Sequence, residues 1–243
     1  EYQIVFSDTP GVLAPKYKLQ DSMLAFSEGA LTDADILLYV TDVVEDPTKN
    51  ADFLAKVAAE KVPVLLVINK IDLLKGQDEL EQIVSRWRKL LPAAEIFPTS
   101  AKEHFNVANL MSRIVELLPE GEPYFGKDAL TDKPARFFVT EIIREKILLN
   151  YDKEVPYSAE VIVEKFDEKD NAIHIMAVIY VERESQKGIL IGRGGSMLKR
   201  VGTEARKDIE KFFGKSVFLE LFVKVEPNWR NRENKLRSFG YIE

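Results

Sequence analysis

The sequence predicts an α/β fold, a mostly parallel sheet flanked by helices, followed by a second unit of the α+β class. Apolar runs alternate with helical patterns over the first half, and the order of elements changes after a stretch rich in proline and glycine at 119–134. The chain has 243 residues, 46% of them apolar, which is enough for two cores. We expect domains at 1–120 and 135–243, joined by a linker at 121–134.

In the first half, strands and helices alternate. Strands are predicted at 2–7, 34–41, 62–69 and 95–99. Helices are predicted at 15–30, 48–61, 78–91 and 107–118. The runs at 34–41 and 62–69 are almost purely apolar, which is typical of parallel strands buried on both faces.

The second half has the order helix, strand, strand, helix, helix, strand, with a last helix after Pro227. These elements are predicted at 136–150, 158–167, 172–182, a short helix ending near 191, 196–213 and 217–225. The core side of the first helix is assigned to Phe137, Ile142, Ile143, Ile147 and Leu148. That of the long helix is assigned to Met197, Leu198, Val201, Ala205, Ile209 and Phe212.

Charge is unevenly distributed along the chain. Residues 1–133 carry 14 Lys and Arg against 22 Asp and Glu, a net −8, whereas 134–243 carry 20 against 18, a net +2. Nine basic and four acidic residues lie between Arg183 and Lys215, which suits a polyanion partner or a solvated helix face equally well. The absence of cysteine excludes disulfides and thiolate metal sites, and no apolar run is long enough to cross a bilayer. We expect a cytoplasmic protein.

The motif Asn69-Lys70-Ile71-Asp72 follows a buried strand, where open parallel sheets place their ligand-binding loops. In such a motif Asp72 would accept two hydrogen bonds from guanine, a pair that adenine does not offer. Asn69 would hold the other edge of the base and tie loops together, and the stem of Lys70 would cover the ring. The alternative is a polar turn between strand and helix.

Two further loops occur in the order found in GTPases. Ser100-Ala101-Lys102, after Thr99, resembles the loop whose backbone contacts the guanine carbonyl. The run Asp8-Thr9-Pro10-Gly11 resembles the loop in which Asp8 would hold Mg²⁺ through water and Gly11 would donate its N–H to the γ-phosphate. Val12 follows, where many signalling GTPases carry a glutamine that orients the attacking water. The catalytic group is therefore not identified.

A phosphate-binding loop is missing from these residues. No run reads G-x-x-x-x-G-K followed by Ser or Thr, and the glycine cluster at 192–195 lacks that ending. Because the chain opens on what would be an inner strand, we interpret it as a fragment. The polypeptide alone is expected to bind nucleotide poorly and to hydrolyse it negligibly.

The glycine cluster instead fits an RNA-binding loop. Gly192-Arg193-Gly194-Gly195, preceded by Ile191, joins two helices and matches the G-x-x-G loop of KH domains, whose glycines let a nucleic-acid backbone approach. Basic residues of the following helix would contact the RNA, namely Lys199, Arg200 and Arg206. The neighbouring strand would form the floor for unstacked bases. The alternative is a glycine turn between packed helices.

Nearly the whole chain resembles the Era family of bacterial ribosome-assembly GTPases. The resemblance rests on these motifs together with the V-P-Y-S run at 155–158 and the L-R-S-F-G-Y run at 236–241. The resemblance implies an incomplete P-loop GTPase domain followed by a type II KH domain, with GTP or GDP and Mg²⁺ as cofactors. It also implies partners: the single-stranded 3′ tail of small-subunit ribosomal RNA, the 30S-type subunit and, peripherally, the inner face of the cell membrane. GTP would switch the RNA site, and we expect a monomer.

Two alternatives remain at this point. One is an RNA-binding adaptor that works without nucleotide. The other, a ribosome factor with two GTPase domains and a KH-like end, is disfavoured because an intact G-x-x-G loop is not expected there.

Overall fold

The computed structural model describes residues 2–12, 15–126, 131 and 133–242. The chain divides into two compact units, residues 1–126 and 127–243, and each is described by itself.

The first unit is a three-stranded parallel sheet with helices in the connections. Its elements are α1 (Lys18–Asp33), β1 (Leu37–Asp42), α2 (Ala51–Ala59), β2 (Val64–Asn69), α3 (Gln77–Leu90), β3 (Glu95–Pro98) and α4 (Val107–Leu117). The strands lie in the order β1-β2-β3, and Asp42 pairs with Asn69 at the ends of their strands. Because the strands are parallel, the loops that follow them emerge at the same edge of the sheet.

The core of this unit forms around β2, whose middle four residues are buried, as the apolar run predicts. Trp87 of α3 is 1% exposed and its ring lies 5.8 Å from that of Tyr39. The other buried members of the cluster are Phe53, Leu54, Val57, Leu66, Ile68 and Leu91.

Two predictions for the first unit are wrong. Residues 2–7 form no strand: Phe6 is 59% exposed, and a strand exists only where its backbone pairs with a neighbour. The segment is instead held by a side chain, since Gln3 exchanges two hydrogen bonds with the backbone of Phe125, of 2.9 and 3.0 Å. The strand β1 is not buried on both faces, because Val40 is 63% exposed on this outer strand of the described sheet.

The second unit has the predicted order of elements. They are α5 (Ala135–Asn150), β4 (Glu160–Glu168), β5 (Ala172–Val181), α6 (Glu184–Ile191), α7 (Ser196–Phe213), β6 (Ser216–Val225) and α8 (Glu233–Ser238). The sheet order is β4-β5-β6, with β4 antiparallel and β6 parallel to β5. Helix α5 packs against β4 and α7, and α7 packs against β6. The β6 strand has β5 as its one neighbour among the described strands.

The core faces of the two long helices differ in part from the prediction. On α5 the buried residues follow a spacing of four, Val139, Ile143 and Ile147, so that Phe137 and Leu148 lie to the side and are exposed. On α7, Val201, Ala205 and Ile209 are buried and Met197 and Leu198 pack against the core. Phe212 is 55% exposed, because Phe213 and not Phe212 continues the core-facing side of α7.

The chain after β6 folds back on the second unit. Trp229 and Leu236 are buried, and Phe239 packs edge-on against Trp229 at 5.4 Å. Tyr241 donates a hydrogen bond of 2.6 Å to Oε2 of Glu160, which is buried on β4. No helix within the described part of the chain is both long and apolar enough to cross a membrane.

Candidate functional site

The loops that follow β2 and β3 are joined by hydrogen bonds. Oδ1 of Asn69 accepts the backbone N–H of Ala101 at 3.0 Å, so Asn69 ties the loops together as its motif predicts. The backbone of Ile71 donates to the carbonyl of Thr99 at 3.2 Å, and that of Thr99 donates to Ile68 at 2.8 Å. These bonds position two segments 30 residues apart as one surface at the carboxyl edge of the sheet.

Asp72 is exposed and is held by a buried serine. Oγ of Ser100 donates a hydrogen bond of 2.6 Å to Oδ1 of Asp72, and it also accepts the backbone N–H of Glu103. The hydrogen bond from Ser100 lowers the pKa of Asp72, so this carboxylate stays ionised and acceptor-only. Two carboxylate oxygens offer about four acceptor positions, and one bond to Ser100 leaves capacity for the paired donors of guanine.

Lys70 leaves the strand in the left-handed region, with a φ of 62°. Its Nζ lies 2.7 Å from Oδ2 of Asp42 at the end of β1. Oδ1 of Asp42 accepts the backbone N–H groups of Val44 and Glu45, and the bond from Lys70 lowers the pKa of Asp42. The lysine stem therefore reaches from the β2 loop towards the end of β1.

The sequence did not indicate Asp42, because this residue belongs to no motif. Its register opposite Asn69 was the signal that could have found it, since neighbouring parallel strands end together. Lys102, in contrast, is exposed, and its Nζ lies 3.6 Å from the carboxylate of Glu103.

The run Asp8-Thr9-Pro10-Gly11 lies in an irregular segment before α1. The carbonyl of Pro10 accepts a hydrogen bond of 2.9 Å from Oγ of Ser27, a buried residue of α1. Asp8 is exposed and offers hard carboxylate oxygens, the donor type that Mg²⁺ prefers. No group of three or more potential metal ligands occurs among the described residues.

The glycines of the 192–195 loop differ in what they require. Gly192 follows α6 with a φ of 70°, and a Cβ there would lie 2.6 Å from Cγ of Met197. Gly194 and Gly195 have φ values of 60° and 78°, and a Cβ on either would meet nothing within 4 Å. Gly192 is therefore needed for packing, whereas the open space at the other two lets another molecule approach their backbone.

An open groove of about 380 Å³ lies between α7 and β6. It is lined by Gly195, Leu198, Lys199, Gly202, Thr203, Arg206, Leu219 and Leu221. Lys199 and Arg206 thus lie on the groove, as does the end of the glycine loop. Ile191 is half-buried at the end of α6, and Arg193 is exposed.

Two of the three arginines chosen from the sequence have acidic partners on their own helix. Nε of Arg200, which does not line the groove, lies 3.0 Å from Oε1 of Glu204. Nη1 of Arg206 lies 2.8 Å from Oε1 of Glu210, which also accepts the backbone N–H of Val217. The apolar groove residues of β6, and Gly202 and Thr203 of α7, were not identified from the sequence. The helix spacing from Lys199 was the signal for Gly202 and Thr203.

Comparisons with known proteins agree with this division of the chain. The model of the KH domain family matches residues 154–230, and that of the elongation factor Tu GTP-binding domain matches residues 1–120. GTPase Era of Carboxydothermus hydrogenoformans is 44% identical to the chain, over 99% of this chain and 82% of that relative. The chain belongs to the Era family of GTPases.

Two solved Era structures have the same fold. Era of Aquifex aeolicus, in a variant bound to GDP·AlF4⁻, matches with a TM-score of 0.90 at 37% identity, over 97% of this chain and 81% of that one. An Era complex with MgGDPNP and nucleotides 1506–1542 of 16S ribosomal RNA matches with a TM-score of 0.91, with the same identity and coverage. A GTPase domain followed by a KH domain, as the sequence predicts, is therefore confirmed. The adaptor without nucleotide is not favoured.

Proposed function

We propose that this chain is a GTP-binding and RNA-binding protein of small-subunit assembly, in which GTP controls binding of the 3′ tail of small-subunit ribosomal RNA. The observation that carries the proposal is the set of hydrogen bonds that connects the β2 and β3 loops. It presents Asp72, held by Ser100, and Asn69, held to Ala101, in a chain that also contains a G-x-x-G groove.

Guanine is selected because its two adjacent N–H donors can both bind a carboxylate, whereas a base without that pair leaves the carboxylate unpaired. Asp72 would accept from the ring N–H and the exocyclic amine, while Asn69 donates from Nδ2 to the other edge. A site of this kind discriminates by about 10⁴ or more, because the wrong base leaves the carboxylate unpaired after desolvation. The stem of Lys70 would cover the ring while its ammonium stays paired with Asp42.

Mg²⁺, when bound with the nucleotide, supplies charge neutralisation at the phosphates. Asp8 would hold it through water, and the N–H of Gly11 would face the γ-phosphate. Hydrolysis also needs a group that orients the attacking water, and Val12 cannot do this because its side chain forms no hydrogen bond. The other GTP-site residues, Thr9, Pro10, Ala101 and Lys102, shape the loops that contact the nucleotide.

We further propose that a polypeptide of these 243 residues binds GTP poorly and hydrolyses it negligibly by itself. The base-reading loops are present, but no run in the sequence matches the phosphate-binding loop whose N–H groups and lysine hold the phosphates. Calorimetry of the purified chain with GTP measures the affinity, and micromolar or tighter binding would refute the proposal. Saturation-transfer NMR with guanosine and with adenosine then tests base recognition without the phosphates. Equal signals from the two nucleosides would refute the assignment of Asp72.

RNA binding is tested with the chain itself. The probe is a fluorescein-labelled RNA corresponding to nucleotides 1506–1542 of 16S ribosomal RNA, the segment in the related complex, and its complement is the control. We expect saturable binding by anisotropy that prefers the probe over the complement. Failure to bind at low salt, or equal binding of both strands, would overturn the RNA assignment.

The remaining parts of the proposal concern location and assembly. We propose a cytoplasmic monomer that contacts the 30S-type subunit and, peripherally, the inner face of the membrane. Support comes from the family resemblance. Light scattering after size exclusion tests the monomer, cosedimentation with subunits tests the first contact, and flotation with anionic vesicles tests the second.

A further inference from the structure

The side chains of the N-K-x-D motif are anchored by two different loops. Asn69 and Asp72 both bind residues of the loop after β3. Lys70 is held instead by Asp42, the last residue of β1, with Nζ 2.7 Å from Oδ2. The end of β1 therefore contributes to the base site, although none of the motifs in the sequence includes it.

The backbone of Lys70 is fixed on both sides. Asn69, before it, pairs with Asp42 in the sheet, and the N–H of Ile71, after it, donates to the carbonyl of Thr99 at 3.2 Å. Between them Lys70 has a φ of 62°, in the left-handed region that residues other than glycine rarely adopt. Such a conformation persists only where the surrounding contacts determine it, and it is common at ligand-binding sites. The fold therefore sets the direction in which the lysine leaves the loop.

Asp42 is itself held in place. Its Oδ1 accepts the backbone N–H groups of Val44 and Glu45, both at 2.9 Å, while its Oδ2 is the oxygen that binds Nζ of Lys70. One oxygen thus closes the turn after β1, and the other holds the ammonium. The turn is tied to β1 a second time, because Oγ1 of Thr41 donates a hydrogen bond of 2.9 Å to Oε2 of Glu45.

The ion pair is too exposed to serve mainly for stability. The side chain of Lys70 is 55% exposed and that of Asp42 is 24% exposed. Exposed pairs contribute little to stability, because water and salt screen them and because both side chains lose freedom. For ligand binding that loss of freedom is an advantage. A lysine that is already held in one position has less entropy to lose when a base packs on its stem.

We propose that Asp42 is a positioning residue for guanine recognition, because it holds the ammonium of Lys70 so that the lysine stem is in place to cover the base. This inference rests on the proposed function and adds the end of β1 to the guanine site. Asp42 acts through Lys70 and not by a contact with the base.

The substitution Asp42→Asn separates the tasks of the two oxygens. The amide oxygen can still accept from Val44 and Glu45, so the turn is kept and the Tm should stay within a few degrees. The amide nitrogen takes the place of the oxygen that binds Lys70, and two donors do not bind each other. In the full 243-residue chain, the affinity for guanosine, titrated by saturation-transfer NMR, should fall about two- to tenfold, as expected when one more side chain must be immobilised on binding. Unchanged affinity would overturn the proposal.

Salt provides a readout that a purely structural role would not move. Guanosine carries no charge, so any screening by salt acts on ion pairs within the protein and not on the ligand. Between about 0.01 and 1 M salt, the wild type should lose its advantage in affinity over Asp42→Asn, because the exposed pair is screened. An affinity ratio that stays constant over this range would contradict a role for the ion pair.

A double variant tests whether Asp42 acts through Lys70. Lys70→Met keeps the apolar stem and removes the ammonium, so in that background Asp42→Asn should change guanosine affinity by less than about twofold. An equal loss in both backgrounds would show that Asp42 acts through the turn alone and would refute the proposal.

Glu28→Gln is the matched control. It removes another exposed ion pair of the first unit, that of Glu28 on α1 with Lys56 on α2 at 2.5 Å, which includes no residue of the base-binding loops. Guanosine affinity should stay within about twofold of the wild type, and a loss equal to that of Asp42→Asn would count against a specific role of Asp42. If the unsubstituted chain binds guanosine and adenosine equally, the proposed function fails instead.

Discussion

Gly194→Asp separates the binding role of the glycine loop from its role in the fold. Gly194 has φ 60° and ψ 25°, a left-handed conformation that aspartate tolerates better than most residues. A Cβ there meets nothing within 4 Å, so the cost to folding is the backbone strain alone, about 1 kcal/mol. We therefore expect a folded protein with a Tm lowered by a few degrees.

The effect on RNA binding is expected to be much larger. A carboxylate about 5 Å from a phosphate is repelled by about 1 to 3 kcal/mol at effective dielectric constants of about 80 to 20. The side chain also blocks the open face through which the backbone of Gly194 would be approached. Together these effects weaken binding by roughly 100-fold or more, which removes it at micromolar protein.

Anisotropy with the labelled RNA and thermal unfolding by circular dichroism measure the two effects side by side. Gly194→Ala has similar strain without charge and should lose less affinity. Gly192→Ala is the contrasting variant, because its Cβ would collide with Met197 and should lower the Tm markedly. A Gly194→Asp protein that keeps both its Tm and its affinity would refute the assignment of this loop to RNA.

Three further predictions concern charge, protonation and packing. Lys199→Ala should weaken RNA binding modestly and reduce the slope of log K against log salt by about 0.7, and an unchanged slope would exclude a phosphate contact. Burial raises the pKa of Glu160, so at pH values between its ordinary and its raised pKa the folded state holds a proton that the unfolded chain has lost. As the pH falls through this raised pKa towards 4.5, the wild type should gain Tm relative to Glu160→Gln, and a constant Tm difference would contradict this. Trp87→Ala should cost about 3 to 5 kcal/mol in urea unfolding, and a cost under about 1 kcal/mol would contradict its place in the core.

The sequence was sufficient for the order of elements because that order follows from local patterns. Continuous apolar runs, glycine turns and helical spacing placed β2, α7 and β6 within a few residues of their observed ends. The segment 2–7 was mispredicted because an apolar run indicates only that a strand could form there. Whether it pairs depends on a neighbouring backbone, which the residues themselves do not specify.

The loops of the nucleotide site were predictable for a similar reason. Asn69 ends β2 and Ser100 follows β3, its parallel neighbour, so the topology alone brings them to one edge. The partner of Lys70 was not predictable from motifs, because it depends on the register of β1 against β2.

Charge along α7 has a different meaning in the structure than in the sequence. The excess of basic residues between 183 and 215 suggests a polyanion site governed by Coulomb attraction. Arg200 and Arg206, however, are paired with Glu204 and Glu210 one turn on, which leaves Arg193 and Lys199 as loop and groove cations without an ion pair among the described residues. Two phosphate contacts predict a salt slope of only about −1.4 for single-stranded RNA. Binding should therefore depend more on bases stacked over Leu219 and Leu221 than on counterion release.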